Sequence, residues 1–346
     1  MYITGLGTAV PPQKFSQAEC WDAIRAAPQY PALNSRSQAI LRKVLSASNG
    51  IETRHLALDP IAEAFEFTPD AMHARFKRVA PQLGEEAARR ALEESGRKAD
   101  DIGALVVATC TGYLCPGLSS YIGERIGLSR RAQLLDLVGL GCGAAVPTLR
   151  TAAALLGETQ HVLAVCVEVC SAAVFLDDDP GVLISACLFS DGAAAAVCSQ
   201  RPQPGIREVR MVRAESLHAP EAREKLRFDS VGGLLRNILA PDVPVLSARY
   251  AADVLALAEL QPGEISEWLL HSGGRDVLRE IAARIGLDDT ALRHTTDILR
   301  RHGNMSSPSC LFALRRALDE NAPGGKWWLA SFGAGFSSHG ALLDVK

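Results

Sequence analysis

Short runs of apolar residues alternate along the chain with longer stretches in which apolar positions recur at helical spacing. The short runs predict strands and the longer stretches predict helices. The predicted strands are MYITGLGTAV, ALVVATC, AQLLDLVGL, HVLAVCVEV, CLFSDGAAAAVC, REVRMVRAE, EWLLHSG and KWWLASFGAG, and the predicted helices are GEEAARRALEESG, GLSSYIGERIG, AAVPTLRTAAALLG, SARYAADVLALAEL, GRDVLREIAARIGL and CLFALRRALDEN. This alternation predicts an α/β fold with buried sheets.

The pattern repeats coarsely between the two halves of the chain. Each half contains a strand, a loop that carries a chemically distinctive residue, and an amphipathic helix after it. The stretch SQRPQPGIREV, residues 199–209, is rich in proline and polar residues and predicts the boundary. We therefore expect two halves, residues 1–203 and 204–346, that share one core.

Composition and charge narrow the class of protein. Of the 346 residues, 48% are hydrophobic and 22% are charged, which is ordinary for a globular protein. The net charge of −3 favours neither nucleic acid nor an anionic membrane as a partner. The uncharged window 102–123 contains Pro116 and four glycines, so it predicts a buried strand that runs into a loop, without membrane insertion. The N-terminus lacks the basic region of a signal peptide, and we expect a cytoplasmic protein.

Nine cysteines are scattered through the apolar segments, and no pair of CxxC units is present. Cys166 and Cys170 lie four residues apart on a predicted strand, but no second pair completes a zinc site. We therefore expect buried thiols in a reducing compartment and no metal site.

One cysteine differs from the others in its position. Cys142 lies between two glycines, at a corner between a predicted strand and the helix AAVPTLRTAAALL. Small residues that pack tightly are one reason for such a corner. The other is catalysis, because a helix N-terminus and a nearby histidine favour the thiolate that a nucleophilic cysteine requires.

Two further residues could complete a site with Cys142. His271 ends an apolar strand and precedes Ser272 and two glycines, where a side chain can reach into a cleft; the alternative is a histidine that only packs. Asn304 lies between Gly303 and an apolar helix, where it could be an amide donor to an oxyanion or a helix cap.

Taken together, these segments resemble the bacterial type III polyketide synthases, the chalcone synthase-like family. GLGCGAAVPTLRTA, LLHSGGRDVL and RHGNMSSPSCLFAL are similar to the family's cysteine, histidine and asparagine signatures. NGIETRH, ATCTGYLCPG, CLFSDGAAAAV and ASFGAGFSSHGALL resemble other family elements in the same order, so the resemblance spans almost the whole chain.

The resemblance implies a thiolase-like fold, with two similar halves stacked in αβαβα layers, and a homodimer. It implies that Cys142 takes the acyl group of an acyl-CoA starter. His271 would stabilise the thiolate, and His271 and Asn304 would bind the malonyl-CoA carbonyl while the enolate forms by loss of CO2. The enolate would then attack the acyl group, giving a pyrone or resorcinol-type product. No organic cofactor or metal is implied, because decarboxylation itself supplies the carbanion equivalent.

The resemblance also implies substrate-binding residues. Phe189, and less directly Phe228, match phenylalanines at the mouth of the active site. Arg54 matches a basic residue near the CoA entrance. Five residues fall at or near positions that shape the family's product cavity: Cys110, Tyr113, Cys115, Cys170 and Ser306. Their small size would leave a cavity with room for a long or bulky starter.

Departures from the family pattern bear on cavity shape. Ser331 and Ala334 replace a glycine and a proline in the final loop, Ser272 stands where proline is common, and Ser190 stands where glycine is common.

Three alternatives remain open on sequence alone. A ketoacyl synthase III-like enzyme would use the same three residues for a single condensation, often with an acyl carrier protein. A cysteine–histidine–asparagine hydrolase would release free acid, although in papain-like proteases the cysteine lies near the mature N-terminus. A scaffold of the same fold would not become acylated.

Overall fold

The structure, a computed structural model, describes residues 1–46 and 49–346. The helices are α1 (Gln17–Ala26), α2 (Ser35–Ser46), α3 (Pro69–Ser95), α4 (Leu118–Ile126), α5 (Ala145–Leu155), α6 (Pro180–Leu188), α7 (Val243–Leu257), α8 (Arg275–Ile285), α9 (Arg293–His302) and α10 (Ser309–Asp319). The strands are β1 (Tyr2–Ala9), β2 (Lys14–Ser16), β3 (Thr53–His55), β4 (Ala104–Ala108), β5 (Gln133–Leu137), β6 (His161–Val169), β7 (Asp191–Ser199), β8 (Val209–His218), β9 (Leu226–Val231), β10 (Leu234–Leu239), β11 (Glu267–Leu270), β12 (Gly325–Gly333) and β13 (Ser337–Val345).

The strands of the two halves repeat one arrangement. Within the described residues, nine strands form a sheet in the order β11–β12–β13–β8–β1–β7–β6–β4–β5. In the first half, β1 pairs antiparallel with β7, β7 pairs antiparallel with β6, and β6 pairs parallel with β4. The second half repeats these directions in the order β8, β13, β12 and β11. Strand β5 adds a parallel edge to the first half. The two sets meet where β1 and β8 pair at only two positions, and residues 200–208 link β7 to β8 at the predicted boundary.

Helices pack on the strands in three layers. Apolar residues of α3 and α4 cover one face of the first-half strands. Helices α5 and α10 lie in the middle and pack against strands of both halves. Helices α7 and α8 cover the outer face of the second-half strands. This central position of α5 and α10 matters for the site, because the loops that precede both helices open into the same space.

Helix α3 differs most from its sequence prediction. The sequence predicts helical structure over 59–83 and a separate helix from residue 84, whereas α3 is one helix that begins at Pro69, capped by the Thr68 side chain, and continues through Pro81. A proline inside a helix removes one backbone hydrogen bond. The helix continues because its apolar face, including Phe76 and Leu83, is buried against the first-half strands. No helix in the described ranges is both long enough and apolar enough to cross a bilayer.

Candidate active site

The turn that carries Cys142 is held from both halves. It is a short 3₁₀ helix between β5 and α5, and Gly141 has a φ of +57°, a conformation that glycine adopts without steric cost. The hydroxyl of Ser331, on β12, donates to the Gly143 carbonyl at 2.8 Å. A Cβ at Gly333 would lie 2.5 Å from the Gly143 nitrogen, so only glycine allows this approach. The serine that departs from the family pattern therefore anchors the cysteine turn.

His271 lies directly after β11 and is 2% exposed. Its main-chain nitrogen donates to the Ala330 carbonyl at 2.8 Å, and its ring meets Phe332 edge-on, with 5.1 Å between ring centroids. Burial lowers the pKa of His271 to about 4, and a hydrogen bond with the Ser306 main chain opposes this shift. The imidazole is therefore neutral at neutral pH and fixed in orientation.

Asn304 lies in the loop between α9 and α10. It is not a helix cap, because α10 begins at Ser309 and Pro308 occupies the cap position. Its side-chain Oδ1 accepts from the Ser306 nitrogen at 2.8 Å, and Nδ2 donates to the Gly273 carbonyl at 3.2 Å. Because the amide nitrogen Nδ2 carries two hydrogens and one is donated to Gly273, one hydrogen is left to donate.

Ser306 joins the three segments into one chamber. It has a φ of +61°, which is uncommon for a residue other than glycine. Its hydroxyl donates to the Cys142 sulfur at 3.1 Å, its main-chain nitrogen contacts Asn304, and its main chain hydrogen-bonds His271. The three predicted residues thus converge around a single serine, although they are distant in sequence.

A buried carboxyl that the sequence analysis missed supports this chamber. Glu168 lies on β6, is fully buried, and accepts hydrogen bonds from the hydroxyls of Ser307 at 2.6 Å and Thr111 at 3.0 Å, and from the Cys110 nitrogen at 3.0 Å. Ser306 is a further partner at 3.4 Å. The sequence does contain an indication of this residue, because Glu168 is the lone acid within the apolar run HVLAVCVEVC. A carboxyl group is buried in a strand only when it is well hydrogen-bonded.

Burial also governs the charge states in the chamber. It raises the pKa of Cys142 to about 12, against the smaller opposing effect of the Ser306 hydroxyl. It also raises the pKa values of Cys110 and Glu168. Burial in this structure therefore disfavours the thiolate that is expected at the helix N-terminus, because loss of water at the sulfur outweighs the stabilising contacts.

Besides Ser306, three of the predicted substrate-binding residues lie at the chamber. The Cys110 sulfur is 3.5 Å from the Ser306 hydroxyl, and Cys170 is buried just beyond β6, close enough to Cys142 for their charges to interact. The Phe189 main chain forms a parallel bridge with Asn304. Ser190, which stands where glycine is common in the family, accepts a hydrogen bond from the His55 nitrogen and donates one to the His55 carbonyl.

Arg54, Tyr113 and Cys115 are three further residues that the sequence predicts at the substrate-binding site. Arg54 is 3% exposed, and its Nη1 donates to the Ala186 and Phe189 carbonyls, so the guanidinium is committed to the protein interior and does not face a phosphate at an entrance. Tyr113 is 71% exposed and Cys115 is exposed, because their loop turns outward before α4. The substrate-binding role expected of these three residues therefore stays a prediction.

Phe228 lies on the β9–β10 hairpin, half-buried and paired with Asn237. The hairpin touches the loop after β12, where the Gly335 nitrogen donates to the Leu226 carbonyl. Its position at the mouth of the site stays a prediction. In the described part of the chain, no group of three histidine, cysteine or acidic side chains is arranged to hold a metal ion.

Comparisons with known proteins identify the family of the chain. The family model "Chalcone and stilbene synthases, N-terminal domain" matches residues 2–202, and "3-Oxoacyl-[acyl-carrier-protein (ACP)] synthase III C terminal" matches residues 255–345. A 3,5-dihydroxyphenylacetyl-CoA synthase of Streptomyces toyocaensis is 32% identical, over 99% of this chain and 89% of its own length. The alpha-pyrone synthesis polyketide synthase-like Pks18 of Mycobacterium tuberculosis is 29% identical, over 99% and 91%.

A solved structure confirms the fold. The 1,3,6,8-tetrahydroxynaphthalene synthase of Streptomyces coelicolor, a bacterial type III polyketide synthase, superposes with a TM-score of 0.87 at 23% identity, covering 100% of this chain and 99% of its own. The predicted thiolase-like α/β fold is therefore confirmed. By its matched family model, its full-length relatives and its fold, the chain belongs to the chalcone and stilbene synthase family, the type III polyketide synthases, which are acyltransferases.

Proposed function

We propose that this enzyme loads an acyl group from an acyl-CoA onto Cys142 and extends it by decarboxylative condensation with malonyl-CoA. The observation that carries the proposal is the convergence of a thiol, an imidazole and a carboxamide at Ser306. The products we assign are pyrones or resorcinol-type rings, in keeping with the pyrone synthesis in the name of the mycobacterial relative.

In the loading step, His271 accepts the Cys142 proton. The neutral imidazole can accept that proton. Burial, which lowers its pKa to about 4, opposes the transfer, and the charge of the new thiolate offsets the positive charge that forms. The sulfur attacks the thioester carbonyl, the carbon–sulfur bond to CoA breaks, and CoA leaves as the acyl-enzyme forms.

In the extension step, Asn304 acts as an uncharged donor. Its Nδ2 has one hydrogen left after the bond to Gly273, and we assign that hydrogen to the malonyl thioester oxygen. As CO2 leaves, negative charge develops on this oxygen, and a fixed donor that strengthens its bond at that moment lowers the barrier. The enolate carbon then attacks the acyl group, and Cys142 is released.

We propose that the enzyme works in the cytoplasm as a homodimer, with CoA thioesters as its only small-molecule partners. The nine cysteines are all thiols, which fits a reducing compartment. Edge strand β5 leaves Leu134 45% exposed, and the adjoining Val138 is 60% exposed. A second copy pairing along this edge would cover both apolar side chains.

The test is a panel of starter acyl-CoAs incubated with radiolabelled malonyl-CoA. We expect labelled pyrones or resorcinols that contain more than one malonyl unit. A β-ketoacyl product from a single extension would instead support the ketoacyl synthase III-like alternative, with which the chain shares the match over residues 255–345. Release of free acid without a new carbon–carbon bond would support the hydrolase.

A further inference from the structure

Two thiols in the chamber share one hydroxyl group. The Ser306 Oγ lies 3.1 Å from the Cys142 sulfur and 3.5 Å from the Cys110 sulfur. The two sulfur atoms are therefore no more than about 6.6 Å apart, the sum of those two distances. Rotation about the Cα–Cβ bonds moves each sulfur by more than an ångström, and a disulfide requires that such rotation bring the two sulfurs together.

The Cys110 sulfur also lies beside a carboxyl group. Its sulfur lies 3.4 Å from each carboxyl oxygen of Glu168, and its side chain, like that of Cys142, is only partly buried. Both residues therefore keep some accessible surface by which a small oxidant would enter. The condensation mechanism gives the Cys110 thiol no chemical step.

We propose that Cys142 and Cys110 form a redox pair, in which an organic or inorganic hydroperoxide oxidises Cys142 and Cys110 then closes a disulfide that protects the nucleophile from irreversible oxidation. The proposal rests on the proposed function in one respect, since the proton transfer to His271 that prepares Cys142 for a thioester also prepares it for a peroxide.

The steps balance. The Cys142 thiolate attacks one peroxide oxygen, so an S–O bond forms, the O–O bond breaks, and water or an alcohol leaves; sulfur loses two electrons and the peroxide gains them. The Cys110 sulfur then attacks the sulfenic sulfur, so the S–S bond forms and the S–O bond breaks. The departing hydroxide leaves as water with the Cys110 proton, which the Ser306 hydroxyl between the two sulfurs can relay.

Cys170 provides a matched control. It is a third thiol beside Glu168, but it is 1% exposed and lies against the Ser190 main chain. If mere proximity to Glu168 decided reactivity, Cys170 would compete with Cys110. The arrangement around Ser306 instead selects Cys110.

The experiment treats the reduced full-length protein with hydrogen peroxide, and in parallel with tert-butyl hydroperoxide, and maps peptides without reduction. We expect a Cys110–Cys142 cross-linked peptide pair that dithiothreitol removes, with loss and then recovery of acyl loading from an acyl-CoA. In Cys110→Ser, we expect sulfinic and sulfonic acids on Cys142 and about tenfold less recoverable loading than in the oxidised wild type. Each protein is compared with its own reduced form, and Cys110→Ala serves if the serine variant does not fold.

The Cys170→Ser variant should form the same cross-link as the wild type. Equal overoxidation of Cys142 with and without Cys110, or a Cys142–Cys170 cross-link in the wild type, would overturn the proposal. Peptide mapping does not depend on activity, so the two proposals fail separately. A protein that forms the cross-link but never loads an acyl group refutes the proposed function, and one that loads but never forms the cross-link refutes the redox pair.

Discussion

The two halves of the chain line the same chamber with different chemistry. The first half contributes what we call the thiol wall, Cys142, Cys110 and Glu168, and the second half contributes the nitrogen wall, His271 and Asn304. Ser306 contacts both walls. The thiol wall carries the acyl group, Asn304 of the nitrogen wall serves the enolate, and His271 serves both steps. A change at Asn304 can therefore stop extension and spare loading.

Burial acts on the two walls in opposite directions. It raises the pKa values of Cys142 and Glu168 and lowers the pKa of His271, and in each case it favours the uncharged form. The chamber itself is therefore close to neutral, and charge develops mainly as substrates react. A site of this kind suits a reaction in which the enolate must be stabilised more than the ground state.

The largest expected effect is on the thiol wall. Cys142→Ala removes the only sulfur that we assign to acyl transfer, so both acyl loading and labelled product should fall to background. Cys198→Ala, which removes a buried core thiol on β7, is the control for loss of a cysteine as such and should keep loading. Product formation by the Cys142→Ala protein would show that another group carries the chain.

On the nitrogen wall, Asn304→Ala should leave acyl loading intact and slow malonyl-CoA decarboxylation by about 10² to 10³, the usual cost of one lost oxyanion donor. Release of labelled CO2 measures this step. Asn304→Asp keeps an acceptor for the Ser306 nitrogen but replaces the donor with a charge, and it should decarboxylate no faster than the alanine variant. An equal loss of loading and decarboxylation in both variants would contradict the separation of the walls.

The neutral resting state predicts how alkylation of Cys142 depends on pH. With a thiol pKa of about 12, the reactive thiolate fraction increases tenfold with each pH unit below that value. Iodoacetamide labelling of the Cys142 peptide should therefore accelerate about a hundredfold between pH 7 and pH 9. A rate that stays level across this range would show a resting ion pair with His271 instead. Glutathione in the same tubes reports the behaviour of an ordinary thiol.

The smallest expected effect concerns the support of the thiol wall. Glu168→Gln places an amide NH2 group against donors that now meet a carboxyl oxygen, so it should lower the free energy of unfolding by about 1–3 kcal/mol. Denaturant unfolding measures this change. Glu124→Gln, at an exposed position on α4, is the control and should stay within about 0.5 kcal/mol of the wild type. Equal stability of both variants would mean that the Glu168 network contributes little.

Local patterns were sufficient for much of the fold and for the centre of the site. Strand β6 coincides with the predicted run HVLAVCVEV, and α4, α5 and α10 fall within about two residues of their predictions, because periodicity and flanking glycines mark such elements. The short motifs around Cys142, His271 and Asn304 were enough to predict the residues that converge.

Other features depend on contacts between distant segments, which no local pattern contains. The role of Ser331 as an anchor needs the Gly143 carbonyl, 188 positions away. The burial of Arg54 follows from its bonds to α6 and Phe189, and the length of α3 follows from packing on the sheet. The exposure of Cys115 depends on the path of a loop whose sequence is compatible with either side.

The most direct test of the central claim is mass spectrometry of the intact protein, first after incubation with an acyl-CoA and again after addition of malonyl-CoA. The account predicts an acyl adduct that maps to Cys142, that malonyl-CoA discharges in the wild type, and that persists in Asn304→Ala. An adduct on a different residue, or an adduct on Cys142 that malonyl-CoA discharges equally fast in both proteins, would contradict it.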